Sequence, residues 1–186
     1  MTNTNLDQTK IITETERLLL REMIPDDLEV LCGIMCDQQA MEAAYVTAFT
    51  AEEVAAWLQR HLKRYETLGF GLWAVILKQT GQMIGQCGLT MQSWNDQEIL
   101  EIGYLFQRAH WHRGYATEAA GACMDYAFSV LGASAVYSVI PAAHDASRAV
   151  AVRNGMQIVD RCSKNFRNVD MDFLLFSCER SRNESR

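Results

Sequence analysis

The chain has 186 residues, 49% of them hydrophobic, and a formal net charge of −6. That length suits one domain with short tails, and the apolar share suits a sizeable core. The acidic balance argues against a general nucleic-acid binder, which needs a basic face, and no apolar run approaches membrane-spanning length.

In chain order, the polar start at residues 1–13 reads as a loose tail, with no signal peptide ahead of the first strand. Arg17 to Met23 reads as that strand. Pro25-Asp-Asp-Leu opens a helix, because proline suits the first turn and the acids suit its dipole; Leu28, Leu31, Cys32 and Met35 give it a core face. Residues 38–49 are mixed. Thr50-Ala-Glu-Glu53 is a capping box for a helix running to Leu68, closed by Gly69. Strands follow at Phe70 to Lys78, Met83 to Gln92 and Glu98 to Phe106, with Ser93 to Gln97 as the last hairpin loop. A helix from about Gly114 to Leu131 stops at Gly132. Ala133 to Ile140 is a strand, Asp145 to Arg153 a short helix, and Met156 to Phe166 with Val169 to Cys178 a final hairpin, its turn near Asn165 to Asn168. The order β-α-α-β-β-β-α-β-α-β-β predicts an α+β fold, a mixed sheet of about seven strands with helices on both faces. One domain at 14–178 is expected, with a frayed end at 179–186. The six cysteines show no C-x-x-C pairing and read as reduced thiols of a cytoplasmic protein.

The stretch Trp111-His-Arg-Gly-Tyr-Ala-Thr-Glu-Ala119 turns from loop into helix directly after the strand ending at Phe106. A loop that delivers bare N–H groups to a helix N-terminus suits an anion, because unpaired donors and helix dipole both favour negative charge. On local sequence alone, a phosphate cradle and an ordinary strand-to-helix turn are equally good readings. It is not a Walker loop, since no Gly-Lys-Ser/Thr follows, and it lacks the second glycine of the dinucleotide fingerprint.

These residues resemble motif A of the GNAT N-acetyltransferases, Gln/Arg-x-x-Gly-x-Gly/Ala, here Trp111-His-Arg-Gly114-Tyr-Ala116, with Trp111 at the first position as in the RimJ/RimL-like branch that acetylates ribosomal-protein N-termini. Thr15-Glu-Arg-Leu-Leu-Leu-Arg21, Gly81-x-x-Ile-Gly85, Glu101-Ile-Gly-Tyr104 and Ser147 to Met156 resemble further motifs of that branch, in the same order. The resemblance implies the GNAT fold and transfer of acetyl from acetyl-CoA to an amine by direct attack in a ternary complex, with no metal. The acceptor is a protein N-terminus or a small molecule, and no nucleic acid or membrane partner is implied; a homodimer is compatible with the pattern. A catalytically idle acyl-CoA-binding module of the same fold is the alternative, to which the departures at His144 and Ala151 leave room.

By the same resemblance, His112, Arg113, Gly114, Tyr115, Ala116 and Thr117 cradle the pyrophosphate. Tyr104, Leu105 and Phe106 present backbone groups to the pantetheine arm, with the Leu105 N–H facing the thioester oxygen. Glu101 is the candidate base, against a surface salt bridge as the plain reading. A chain-terminal amine with a pKa near 7.8 costs only about 1 kcal/mol to present neutral at pH 7, so a weak base suffices. Ala151 stands where many relatives carry a tyrosine acid. The branch instead has Asn-x-x-Ser, here His144-Asp-Ala-Ser147, so Ser147 is the candidate donor to the leaving sulfur and His144 a contact to CoA. The plain readings are a serine at a helix start and a solvent-facing loop histidine. His110 and His112 lack further ligands at metal-binding spacing. Tyr45, Phe49 and Trp94 stay open between acceptor pocket, dimer surface and core.

Overall fold

The computed structural model describes residues 9–43, 47–166 and 169–180. Among these residues, eight strands form one sheet: β1 (Ile11–Glu14), β2 (Leu18–Arg21), β3 (Leu72–Leu77), β4 (Gln82–Trp94), β5 (Gln97–Phe106), β6 (Ala135–Pro141), β7 (Gln157–Phe166) and β8 (Val169–Glu179). Their spatial order is β1-β2-β3-β4-β5-β6-β8-β7. Every pairing is antiparallel except β5 with β6. The helices are α1 (Leu28–Met35), α2 (Gln38–Ala43), α3 (Ala51–Leu68), α4 (Tyr115–Ser129) and α5 (Asp145–Arg153).

Strand alternation sends side chains to two layers. One face carries Leu18, Trp73, Leu89, Ile102, Val136 and Phe176, buried with Ala119, Cys123 and Ala127 of α4 and Val150 of α5. The opposite face carries Ala74, Ile76 and Leu105 against α1 and α3, and then a separate cluster of Trp94, Ile99, Tyr137, Val139, Phe173 and Leu175. Glu101 and Gly103, alternating with Ile102, stand on this second face between the two clusters.

The expected order is present with additions. Residues 11–13, read as tail, lie in β1, a short edge strand whose few apolar residues give no clear alternation. The segment after α1 forms α2, too short for a helical period to show in sequence. Pro25–Asp27 is a 3-10 turn rather than the first turn of α1, and Asp27 there receives the buried Arg21 guanidinium at 2.7 Å through two nitrogens. The β4–β5 loop is two residues long, Asn95 and Asp96, with φ of 48° and 63°. Paired positive φ values match the right-handed twist of the flanking strands and let both strands run on to Trp94 and Gln97. Tyr45 and the centre of the β7–β8 turn fall outside the described residues.

Candidate active site

The site begins where two strands part. β5 pairs with β6 at a single register position, Glu101 opposite Tyr137, while β5 stays paired with β4 to Phe106 and β6 with β8 to Pro141. Beyond Glu101 the ladder gives way to side chains: the Ser138 hydroxyl donates to the Ile102 carbonyl at 3.1 Å, and the Val139 N–H donates to the Glu101 carboxylate at 3.2 Å. The gap is therefore lined on the β5 side by backbone groups with no strand partner.

Which backbone groups these are follows from the hairpin. A two-residue turn makes Trp94 and Gln97 a hydrogen-bonded pair, and such pairs recur at every second position. Gln86 opposite Leu105 belongs to that set, so the Leu105 N–H points to β4. Ile102 and Phe106 point the other way, as their carbonyl contacts with Ser138 and with the Trp111 indole (2.8 Å) require, and Tyr104 does so by alternation between them. The expectation that Leu105 supplies the donor to the thioester oxygen is thus corrected: the N–H groups that face the gap are those of Tyr104 and Phe106.

Residues 111–114 lead from this gap to α4. Trp111 ties the loop to the end of β5 through its indole. His112 has φ 58° and Gly114 φ 79°, so the backbone turns twice through the left-handed region. Gly114 is the N-cap of α4 and no side chain caps the helix; the first intrahelical bond is from the Glu118 N–H to the Gly114 carbonyl at 3.0 Å. The N–H groups of Tyr115, Ala116 and Thr117 are left at the helix start for an anion. His112, Arg113 and Gly114 are exposed there, Tyr115 is buried, and Ala116 and Thr117 are half-buried. Arg17 holds the loop from outside: its Nη1 donates to the Arg113 carbonyl at 2.9 Å, its Nε to Glu118 at 2.6 Å, and its guanidinium lies 4.6 Å over the Tyr115 ring.

Glu101 is half-buried on the α1–α3 face. Burial raises its pKa to about 7, outweighing the opposing Val139 N–H and the Thr90 hydroxyl. It is no surface salt bridge, since no cation faces it within 4.0 Å among the described residues.

Across the sheet, on the α4–α5 face, His144 is the N-cap of α5. Its Nδ1 accepts from the Ser147 N–H at 3.2 Å, and its Nε2 lies 3.5 Å from the Ser147 hydroxyl. Burial lowers the His144 pKa, which favours the neutral ring this cap needs. The Tyr104 phenol donates to the Ser147 carbonyl at 3.2 Å, and burial raises its pKa to about 12. Strand β5 thus presents Glu101 to one face and Tyr104 to the other. A shallow groove of about 530 Å³ between α5 and β7, lined in part by Val152 and Ile158, lies outside this arrangement.

The model of the acetyltransferase (GNAT) domain matches residues 17–157. The chain belongs to the GNAT acetyltransferase family. It is 34% identical over 149 residues to the uncharacterized protein YkkB of Bacillus subtilis (strain 168), covering 80% of this chain and 86% of YkkB. Its fold is similar to the acetyltransferase of Agrobacterium tumefaciens str. C58, with TM-score 0.77, 24% identity, and 96% and 100% of the two chains covered. It is similar too to RimL, the ribosomal L7/L12 alpha-N-protein acetyltransferase in complex with coenzyme A, with TM-score 0.75, 16% identity, and 91% and 98% covered.

Acetyl-CoA is the acyl donor of a GNAT acetyltransferase, and the two features a CoA thioester needs are both present: an uncapped helix start for the diphosphate, and a strand edge with unpaired groups for the amide-bearing arm. Among the described residues no group of three or more His, Cys, Asp or Glu could hold a metal, and no helix is long and apolar enough to cross a membrane. Sequence reasoning missed the Tyr104 phenol and the Arg17–Glu118 pair. No pattern announces either, because each acts through a partner far along the chain.

Proposed function

We propose that this GNAT acetyltransferase moves the acetyl group of acetyl-CoA to a primary amine in a ternary complex, as a RimJ/RimL-like enzyme of the cytoplasm. The amine nitrogen attacks the thioester carbonyl in the β5–β6 gap. The carbonyl oxygen takes the negative charge and meets the N–H of Tyr104, the nearer of the two free donors to Glu101; one fixed donor at such a place contributes roughly 3 kcal/mol to the barrier. Glu101 takes the proton from the amine, directly or through a water. The C–S bond then breaks on the α5 side, where Ser147 supplies a hydrogen bond to the departing thiolate. His112 to Thr117 hold the diphosphate.

The observation that supports this reading best is the parting of β5 from β6 with Glu101 on one face and Ser147 on the other. The test is thiol release from acetyl-CoA with a panel of amines and short peptides. Turnover with an amine acceptor is expected; tight CoA binding with no turnover on any acceptor is the result for an idle acyl-CoA module.

A further inference from the structure

The acceptor side of the site has a chemical character of its own. On the α1–α3 face, Glu101 and Leu105 flank Gly103, where an added Cβ would meet nothing closer than a Leu72 methyl at 3.7 Å. The floor beside the β5–β6 gap is thus bare backbone with room above it. Across the gap, the same face of β6 and β8 presents Tyr137, Val139 and Phe173, packed with Trp94, Ile99 and Leu175. On the near side Leu105 packs into the α1–α3 cluster. Both walls are therefore largely apolar, and the polar groups that β4 adds on this face, Gln86 opposite Leu105 and Thr90 opposite Glu101, carry no charge.

Carboxylates are scarce here. By strand alternation, β4 to β8 bring Glu101, Asp160 and Glu179 to this face. Asp160 is engaged by the Trp94 indole at 2.7 Å and the Asn95 amide at 3.1 Å, and Glu179 lies opposite Ala135, at the other end of β6. From the α1–α2 side, Asp37 is held by Arg108 at 2.6 Å. Among the described residues Glu101 is the one carboxylate that these strands place at the gap, and in the proposed reaction it takes the proton.

We infer that the acceptor is a monoamine whose nitrogen sits next to an apolar body, such as an arylalkylamine or a peptide beginning with a large apolar residue, and that polyamines are rejected. The inference rests on the acetyl-transfer reading above. The single carboxylate serves the reacting nitrogen. A second ammonium group would be carried against Tyr137, Val139 and Phe173 with no anion among the described residues to meet it, and an unpaired charge on such a wall is strongly disfavoured. An aromatic or branched aliphatic body fills the same wall with favourable burial.

The experiment compares kcat/KM with acetyl-CoA for 2-phenylethylamine, a Leu-initiated tripeptide, 1,4-diaminobutane and spermidine. The first two are expected to exceed the last two by at least tenfold, and the ranking within the first two separates a free amine from a chain terminus. In Phe173→Glu the ratio of diaminobutane to phenylethylamine is expected to rise tenfold or more, while Phe173→Leu keeps the wild-type ratio. Diamines that match or outrun phenylethylamine in the wild type overturn the inference and leave acetyl transfer standing. Absence of turnover with all four, while CoA still binds by calorimetry, overturns the acetyl-transfer reading and this inference with it.

Discussion

Arg17 and Glu118 meet beside the loop that leads into α4, 101 residues apart in sequence, with the Arg17 Nε and Nη2 both 2.6 Å from Glu118 Oε2. The remaining nitrogen, Nη1, holds the Arg113 carbonyl. In a planar peptide the N–H opposes the C=O. Fixing the Arg113 carbonyl toward Arg17 therefore turns the Gly114 N–H away from it, to the side of the helix start.

The first prediction concerns that lever. Arg17→Ala is expected to raise the KM for acetyl-CoA about tenfold, the scale of one lost charge-assisted hydrogen bond, with kcat within about twofold of wild type. Arg17→Lys keeps the charge but not the fork and is expected to fall between. Steady-state kinetics with acetyl-CoA as varied substrate checks this. Equal losses in kcat would show that the pair does more than set the loop.

Glu101 gives the second. Its pKa of about 7 makes the carboxylate a working base only as pH passes neutrality. The wild-type to Glu101→Gln ratio of kcat/KM is expected to climb about tenfold per pH unit below 7 and level off at roughly 100-fold above it. Taking the ratio cancels the acceptor's own ionisation. A flat ratio removes Glu101 from proton transfer.

The same shift bears on stability. The folded pKa stands above the ordinary 4.5, so the proton is held more tightly in the folded chain. The contribution of Glu101 to stability is fully present below pH 4.5 and is lost as pH rises through 4.5 toward 7, by on the order of 3 kcal/mol. Denaturant melts of Glu101→Gln at pH 5 and pH 8 should lack this fall.

His144 offers a third test, since it stands at an N-cap. Removing an N-cap acceptor costs about 1 kcal/mol. His144→Ala is expected to lower Tm by about 2–4 °C for a chain of this size, and His144→Asn to recover most of it. A calorimetric scan decides. Ser147→Ala leaves the cap in place and is expected to lower kcat about tenfold with little change in KM, a modest effect because a thiol of pKa near 8.5 leaves readily.

Gly114 provides the last. With φ at 79°, a β-branched side chain there is strained, and its Cβ would come to 3.4 Å from the Arg17 guanidinium. Gly114→Val is expected to weaken CoA binding at least tenfold by calorimetry while far-UV circular dichroism stays unchanged.

Much of this was legible before any coordinates. The capping box shows both of its hydrogen bonds, Glu53 N–H to the Thr50 hydroxyl at 3.2 Å and Thr50 N–H to the Glu53 carboxylate at 2.8 Å. Glu101 lies where β5 parts from β6, Ser147 is reached by the Tyr104 phenol, and the loop that runs on from His112 to Thr117 is tied to the end of β5 through Trp111. The Leu105 donor came from the resemblance alone, which does not fix the register of β4 and β5, and a one-residue shift in that register exchanges the groups that face each neighbour. Counted from Asn95-Asp96, the sequence itself assigns the outward N–H to Tyr104. The Arg17–Glu118 contact had no such signal, because it depends on where the β1–β2 turn meets α4 in space.

The proposed reaction places Glu101 and Ser147 on opposite sides of β5, and it thereby separates two traffic routes. On that reading the donor is held by the α4–α5 layer and the acceptor admitted through the other, so either can leave without the other moving aside. Remodelling of α1 to α3 would then redirect such a scaffold to new acceptors while its grip on the donor is inherited intact.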